Sequence, residues 1–243
     1  MDENLNEIQE NEKKGGFRPW FENFWYHYKW HTIVSVFLVF VITVCTLQMC
    51  KKEDHDLYIL YGGEKHISRQ VENGNFCEFD VISSSLKEIT KDYDGNGKIS
   101  PVFNNIYLLS EEEIKAAGDD VNHSYLLKNN QEFRDLMYSS DFYICFLSED
   151  LYLEYAKIEG VFMPIKPYTD YREDLDYLGE NAVYLHSANL PFNTLPGICD
   201  LPKDTVICLK SKTAFSNTGR KNKAQTQFER SEESLRAIFN YGR

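Results

Sequence analysis

The dominant feature of the hydropathy pattern is a run without charge. From Thr32 to Cys50 the chain carries 19 residues with no ionised side chain, centred on Ile33-Val34-Ser35-Val36-Phe37-Leu38-Val39-Phe40-Val41-Ile42. As a helix this run covers about 28 Å, close to the roughly 30 Å of bilayer hydrocarbon. A soluble helix needs one apolar face; here every face is apolar or uncharged. The pattern therefore predicts a transmembrane helix over residues 32–50. Trp20, Trp25, Tyr26, Tyr28 and Trp30 crowd its N-terminal approach, interleaved with His27, Lys29 and His31. Indole and phenol rings favour the headgroup level, where one edge is apolar and the other wet. Residues 17–31 are expected to form an amphipathic juxtamembrane helix, with Trp20, Trp25, Tyr28 and Trp30 at the membrane interface.

Beyond the run, strand-like and helix-like periods alternate. Leu57–Tyr61 is a β-prone stretch that Gly62-Gly63 should end in a turn. Asp80 is placed to cap a helix carrying Ile82, Leu86 and Ile89 on one face. Asp92–Gly97 predicts a turn and Ile106–Leu109 a strand; Ser110 with Glu113 makes a capping box for a helix stopped by Gly118. Residues 130–138 have helical character, and Asp141–Leu147 is the strongest buried-strand candidate, followed by a helix capped by Ser148 and ending near Gly160. Strands follow at Ala182–His186 and Thr205–Leu209. The basic, polar stretch Lys210–Lys223 is expected to be an exposed loop, and Ser231 to cap a last helix with Leu235, Ile238 and Phe239 inward. Strand–helix alternation with apolar strands predicts an α/β fold: one domain over residues 51–243 with a mixed, partly parallel sheet flanked by helices.

Charge sharpens the layout. Residues 1–52 hold six basic and six acidic residues, so the whole net charge of −12 belongs to residues 53–243. A domain this acidic is repelled by phosphate backbones, which argues against nucleic acid as a partner. Residues 1–16 are polar and predict a mobile cytoplasmic tail. Lys13, Lys14, Arg18 and Lys29 precede the span and Lys51, Lys52 and Lys65 come after it. That bias favours a single pass through the cell membrane with the N-terminus cytoplasmic and the domain extracytoplasmic. About 30 residues precede the apolar run, which is also too long for a secretory signal, so an uncleaved signal anchor is expected. Leu47-Gln48-Met49-Cys50 lacks the small residue that lipidation of Cys50 would want before it.

Chemistry is sparse. Of six cysteines, Cys45 and Cys50 fall in the membrane segment. An extracytoplasmic site would permit disulfides among Cys77, Cys145, Cys199 and Cys208, and Cys199 and Cys208 are a candidate pair, while Cys145 reads as a buried small hydrophobe. No zinc-ligand spacing occurs. Asp92, Asp94 and Asn96 with Gly97 and Ile99 match the front of a calcium loop, but its twelfth position, which needs a bidentate carboxylate, is Phe103. A loop that binds calcium weakly and a plain Asp/Asn/Gly turn both fit. Gly62, Gly63 and Ser148 follow predicted strands, where open α/β sheets place ligand crevices, and are the candidate ligand-binding residues. Tyr168, Tyr171 and Tyr177, near Pro164 and Pro167, suit either stacking on a sugar or peptide or sealing the core. His55, His66, His123 and His186 have no partner at ligand spacing and read as surface or capping residues. No GxSxG, HExxH or Cys-nucleophile signature is present, and no catalytic residue is assigned.

Phe24 to Cys50, opening with Phe24-Trp25-Tyr26-His27-Tyr28-Lys29-Trp30-His31, resembles a family of single-pass membrane proteins from Gram-positive bacteria; Leu57–Gly63 and the Asp92–Gly97 turn are similar to it too. That likeness brings no activity with it. Asp141–Leu147, the helix to Lys157 and Gly160-Val161-Phe162-Met163-Pro164-Ile165 are similar to a unit of extracellular solute-binding proteins, although the domain is too short for their complete two-lobed form. The expectation is a membrane-anchored binding or interaction module whose partners are the lipid bilayer and a protein or small solute, with no cofactor unless calcium. The rivals are a tethered hydrolase and a structural component of a membrane assembly.

Overall fold

The computed structural model describes residues 17–50, 55–69, 77–118, 122–138, 141–212 and 221–243. The tail expected over residues 1–16 lies outside these, as does the centre of the loop expected after Lys210. The chain divides into two units, Met1–Glu53 and Asp54–Arg243.

In the first unit, the aromatic and apolar runs form one unbroken helix, α1 (Phe17–Cys50, 34 residues), rather than two elements. Its length of about 51 Å exceeds the hydrocarbon thickness. Within it Trp20–Leu47 is long and apolar enough to cross a membrane, with none of that window buried. The Thr43 and Thr46 hydroxyls donate to the Val39 and Ile42 carbonyls at 2.7 Å, so both polar groups are satisfied inside the helix. The aromatic half is stiffened by its own rings. Trp20 stacks on Phe24 and Phe24 on Tyr28 at 5.6 and 5.4 Å, and Phe21 stacks on Trp25 at 6.0 Å.

The second unit is built on a six-stranded sheet of order β2-β1-β3-β6-β5-β4. The strands are β1 (Leu57–Gly63), β2 (Pro101–Tyr107), β3 (Ile144–Ser148), β4 (Tyr177–Leu178), β5 (Ala182–Tyr184) and β6 (Thr205–Leu209). β1 pairs in parallel with both β2 and β3; β6 runs antiparallel to β3 and β5, and β4 to β5. The strand period of two splits the core. Leu57, Ile59, Tyr61, Ile144, Phe146, Ile207 and Leu209 face one side. There they meet α2 (Glu78–Leu86) through Ile82 and Leu86, and the last helix, α6 (Lys221–Phe239), through Phe228, Leu235, Ile238 and Phe239. Leu60, Cys145, Leu147, Val206 and Cys208 face the other side. They pack on α4 (His123–Met137) through Phe133 and Met137, and on α5 (Glu149–Ala156) through Tyr152 and Tyr155. A short helix α3 (Glu111–Ala117) precedes α4.

Several local expectations shift for identifiable reasons. Gly62 and Gly63 continue β1 instead of ending it, because β2 supplies ladder partners as far as Gly63↔Tyr107. Cys77, not Asp80, holds the N-cap position of α2, and Asp80 sits in its first turn. Ser148 stands at the N-cap of α5 without a side-chain cap bond. α6 begins ten residues before Ser231, whose buried hydroxyl donates to the Gln227 carbonyl within the helix at 2.8 Å. Lys210 is not exposed: it is 1 % accessible, bridged to Phe162 beyond the end of β6. The Ser110–Glu113 capping box is present in full, with Gly118 as C-cap.

Candidate functional site

Strand order gives the first pointer. β1 leads through α2 to β2 on one side, and β2 leads through α3 and α4 to β3 on the other. The chain reverses its direction across the sheet between β1 and β3, and in open α/β sheets the crevice beyond the carboxyl ends of such strands receives ligands. Here those ends are Gly63 and Ser148.

Side chains from four loops meet there. Glu64 follows β1, Ser110 and Glu113 open α3, Ser148 and Asp150 open α5, and Asp204 precedes β6; together they line a cavity of about 230 Å³. Ser110, Ser148 and Asp150 also border a groove of about 690 Å³, walled by apolar Leu108, Ile114 and Leu151 and by Lys115 and Lys157. The site is thus a groove with an amphipathic wall and an acidic end.

Its electrostatics arise from the crowding of carboxylates. A hydrogen bond to Glu113, then partial burial, then the charges of Glu113 and Asp204 push Glu64 from an ordinary 4.5 up to about 7. Burial nudges Glu113 upward, but its bonds to Glu64 and to the Ser110 N–H win and hold it below the usual range. Two like charges in contact cannot both ionise cheaply, so Glu64 carries the proton and donates it to a Glu113 carboxylate fixed by the capping box. Lys65, next to Glu64, is turned away: its ammonium donates to the Asp200 carbonyl at 2.9 Å and lies 3.9 Å from Glu78. Glu149, beside Ser148, accepts the Tyr184 hydroxyl at 2.8 Å.

The sequence candidates divide. Ser148 lines the cleft. Gly62 and Gly63 lie at its base but hold no open space: a Cβ on Gly62 would sit 2.6 Å from the Phe133 ring and 2.8 Å from Leu151, and one on Gly63 would sit 2.7 Å from the Tyr61 hydroxyl. Their bareness admits side chains of the fold itself. Asp92, Asp94 and Asn96 lie beyond the opposite ends of β1 and β2. There the Asp56, Asp92 and Asp94 carboxylate oxygens lie within 4.8 Å of one another. Those oxygens already accept hydrogen bonds. Asp92 takes Gly95, Asn96 and Gly97 N–H at 2.7–3.2 Å. Asp94 takes the Asn96 N–H at 2.9 Å, and buried Asp56 takes Tyr93 and Ser100 N–H, both at 2.8 Å. The Gly97 bond and its neighbours hold Asp92 below the usual carboxylate range. Phe103, at the twelfth loop position, is buried in β2. The arrangement is that of a self-bonded turn ahead of β2.

Tyr168 and Tyr177 seal the fold, the first donating to Glu232 at 2.6 Å and the second to the Arg172 carbonyl at 2.5 Å, while Tyr171 is exposed. His186 holds the Leu201 carbonyl at 2.9 Å. Cys208 stands in register with Cys145, and Cys199 is exposed. The sequence alone does not single out Glu64, Asp150 or Asp204 as site residues and gives Ser110 and Glu113 only a capping role. Glu64 was one residue past a recognised strand-end glycine pair; nothing local marks Asp204. Comparison with family models, curated proteins and solved structures finds no match to this chain.

Proposed function

We propose that the chain is a membrane-anchored binding module whose extracytoplasmic domain receives a small polar solute in the groove at the β1/β3 switch point. The observation that carries the reading is the convergence of Glu64, Ser110, Ser148, Asp150 and Asp204, from four separate loops, on one cleft. α1, long and apolar enough to span a bilayer, supports the anchor. The acidic end favours a ligand bearing an ammonium or guanidinium group, and the apolar wall of Leu108, Ile114 and Leu151 suits the carbon chain behind it. Isothermal titration of the detergent-solubilised full chain with alkyl diamines and basic dipeptides tests this. Binding is expected, with loss of about tenfold or more in affinity in Asp150→Asn/Asp204→Asn. No binding of any of these probes, or binding unchanged in that variant, refutes the reading.

The Glu64–Glu113 pair favours a second reading, a tethered hydrolase in which protonated Glu64 serves as general acid. Hydrolysis of a fluorogenic ester, amide or glycoside that falls about 100-fold in Glu64→Gln would establish it; no turnover of any such substrate would remove it.

A further inference from the structure

We infer that Cys145 and Cys208 form a cross-strand disulfide that locks the parallel half of the sheet to its antiparallel half. The two are direct register partners of antiparallel β3 and β6. The Lys210 N–H donates to the Tyr143 carbonyl at 2.8 Å, so the Cys145/Cys208 pair two residues along is also a hydrogen-bonded one. In such a pair the side chains project from the same face with Cα atoms about 5.5 Å apart, within the Cα span of disulfides, and the two free thiols join once the Cβ atoms close by about 1 Å. Both thiols belong to the same buried cluster and are fully inaccessible, and the Cys208 thiol lies 3.7 Å from the Cys145 carbonyl oxygen. The other soluble-domain cysteines are engaged or placed differently: Cys77 donates to Asp80 at 3.0 Å, and Cys199 is exposed.

The surroundings suit oxidation. Lys210 follows Cys208 at the strand spacing of two, so its buried ammonium enters the same side of the sheet, where it donates to the Leu136 carbonyl at 3.2 Å. The contact with Cys208, opposed by burial but aided by the Lys210 charge, holds the Cys145 thiol below its ordinary range, while burial pushes Cys208 up. Exchange takes place with the seam open, where neither that contact nor the burial ranks the two thiols. When Cys145 goes first, its thiolate attacks one sulfur of a small-molecule disulfide, such as oxidised glutathione, and expels one thiolate. Cys208 then attacks the mixed disulfide, its proton leaving with solvent, and expels the second. The two protein sulfurs are oxidised, the reagent is reduced to two thiols, and one S–S bond replaces another. The exchange requires β6 to part from β3, which occurs during folding or in local opening.

The position explains what the bond would do. β3–β6 is the seam where pairing changes from parallel to antiparallel. A link across it joins positions 63 apart in sequence and bridges the two halves of the domain.

The test uses the detergent-solubilised full chain, equilibrated with glutathione rich in the disulfide form, in enough urea to let the seam exchange. It is then denatured, alkylated without reductant and mapped by peptide mass spectrometry. A Cys145–Cys208 cross-link is expected, with Cys199 alkylated. On reduction the unfolding midpoint should fall by about 10 °C in the native sequence and stay fixed in Cys145→Ala/Cys208→Ala. Alkylation of both Cys145 and Cys208, or a link from either to another cysteine, overturns the inference. The in vitro oxidant makes this outcome independent of which side of the membrane the domain faces.

Discussion

The Glu64 carboxyl keeps its proton because the nearest acceptor is another carboxylate, itself anchored to a backbone N–H. The folded-state value is raised from 4.5 to about 7, so the folded chain binds more protons than the unfolded one between those values. This group's contribution to stability is present at low pH and lost as pH rises through 7. A carboxyl-selective NMR titration should find Glu64 with a midpoint near 7, and Glu113→Gln should return it toward an ordinary glutamate. A Glu64 midpoint unmoved by that substitution would dissolve the pair. Lys210 is the mirror case. Burial pulls its ammonium from 10.5 down to about 8, so between those values the unfolded chain binds more protons and stability rises with pH. Relative to Lys210→Met, the native sequence should gain about 3 kcal/mol from pH 8 to 10.5 in urea unfolding. Taking the difference cancels the tyrosines, such as Tyr93 and Tyr184, that burial and carboxylate partners push up to about 12. Neither residue announces itself in sequence, because a perturbed proton is a property of neighbours drawn from distant loops.

At the scale of elements, β1 shows why some predictions transfer and others shift. Leu57–Tyr61 is recognisable because alternate residues feed two different buried clusters. The next two residues look like a turn because glycine has no side chain to declare a face. Yet Gly62 is where α4 and α5 approach the sheet, and the missing Cβ leaves room for Phe133 and Leu151. Gly62→Ala should therefore destabilise the domain by about 1–3 kcal/mol in chemical unfolding, in spite of the small entropic gain alanine brings to the unfolded chain. It should also displace Leu151, a wall of the groove, visible as a methyl shift; an unchanged stability would mean that the helices yield freely. The capping box transferred intact because its whole logic lies within four residues, Ser110 to Glu113. Ser231 misled because the same residue type caps a helix or bonds back within one, and only the packing of Ala224 and Phe228 extends α6 ahead of it. Strand order, and with it the cleft, was out of reach: it depends on which side of β1 the later strand β3 chooses.

For the whole molecule, the proposed anchor raises the question of which side of a membrane the domain would occupy, and the fold supplies its own probe. α1 carries apolar side chains that nothing in its unit buries, whereas Asp54–Arg243 forms a compact unit with apolar clusters on both sides of its sheet. A chain cut at residue 54 should therefore remain monodisperse without detergent, while the full chain should require it. Within the domain, Cys199 is exposed, whereas Cys77, Cys145 and Cys208 are buried. On a Cys45→Ser/Cys50→Ser background, which removes the two thiols of α1, a membrane-impermeant maleimide added to intact cells should therefore label the chain, and adding Cys199→Ser should abolish that label. With Cys199 accessible in any case, labelling that waits for lysis would put the domain inside and reverse the orientation drawn from Lys13, Lys14, Arg18 and Lys29. A cytoplasmic domain would sit among thiol reductants, so the same experiment decides whether the Cys145–Cys208 seam is held closed in the cell or stays as two thiols.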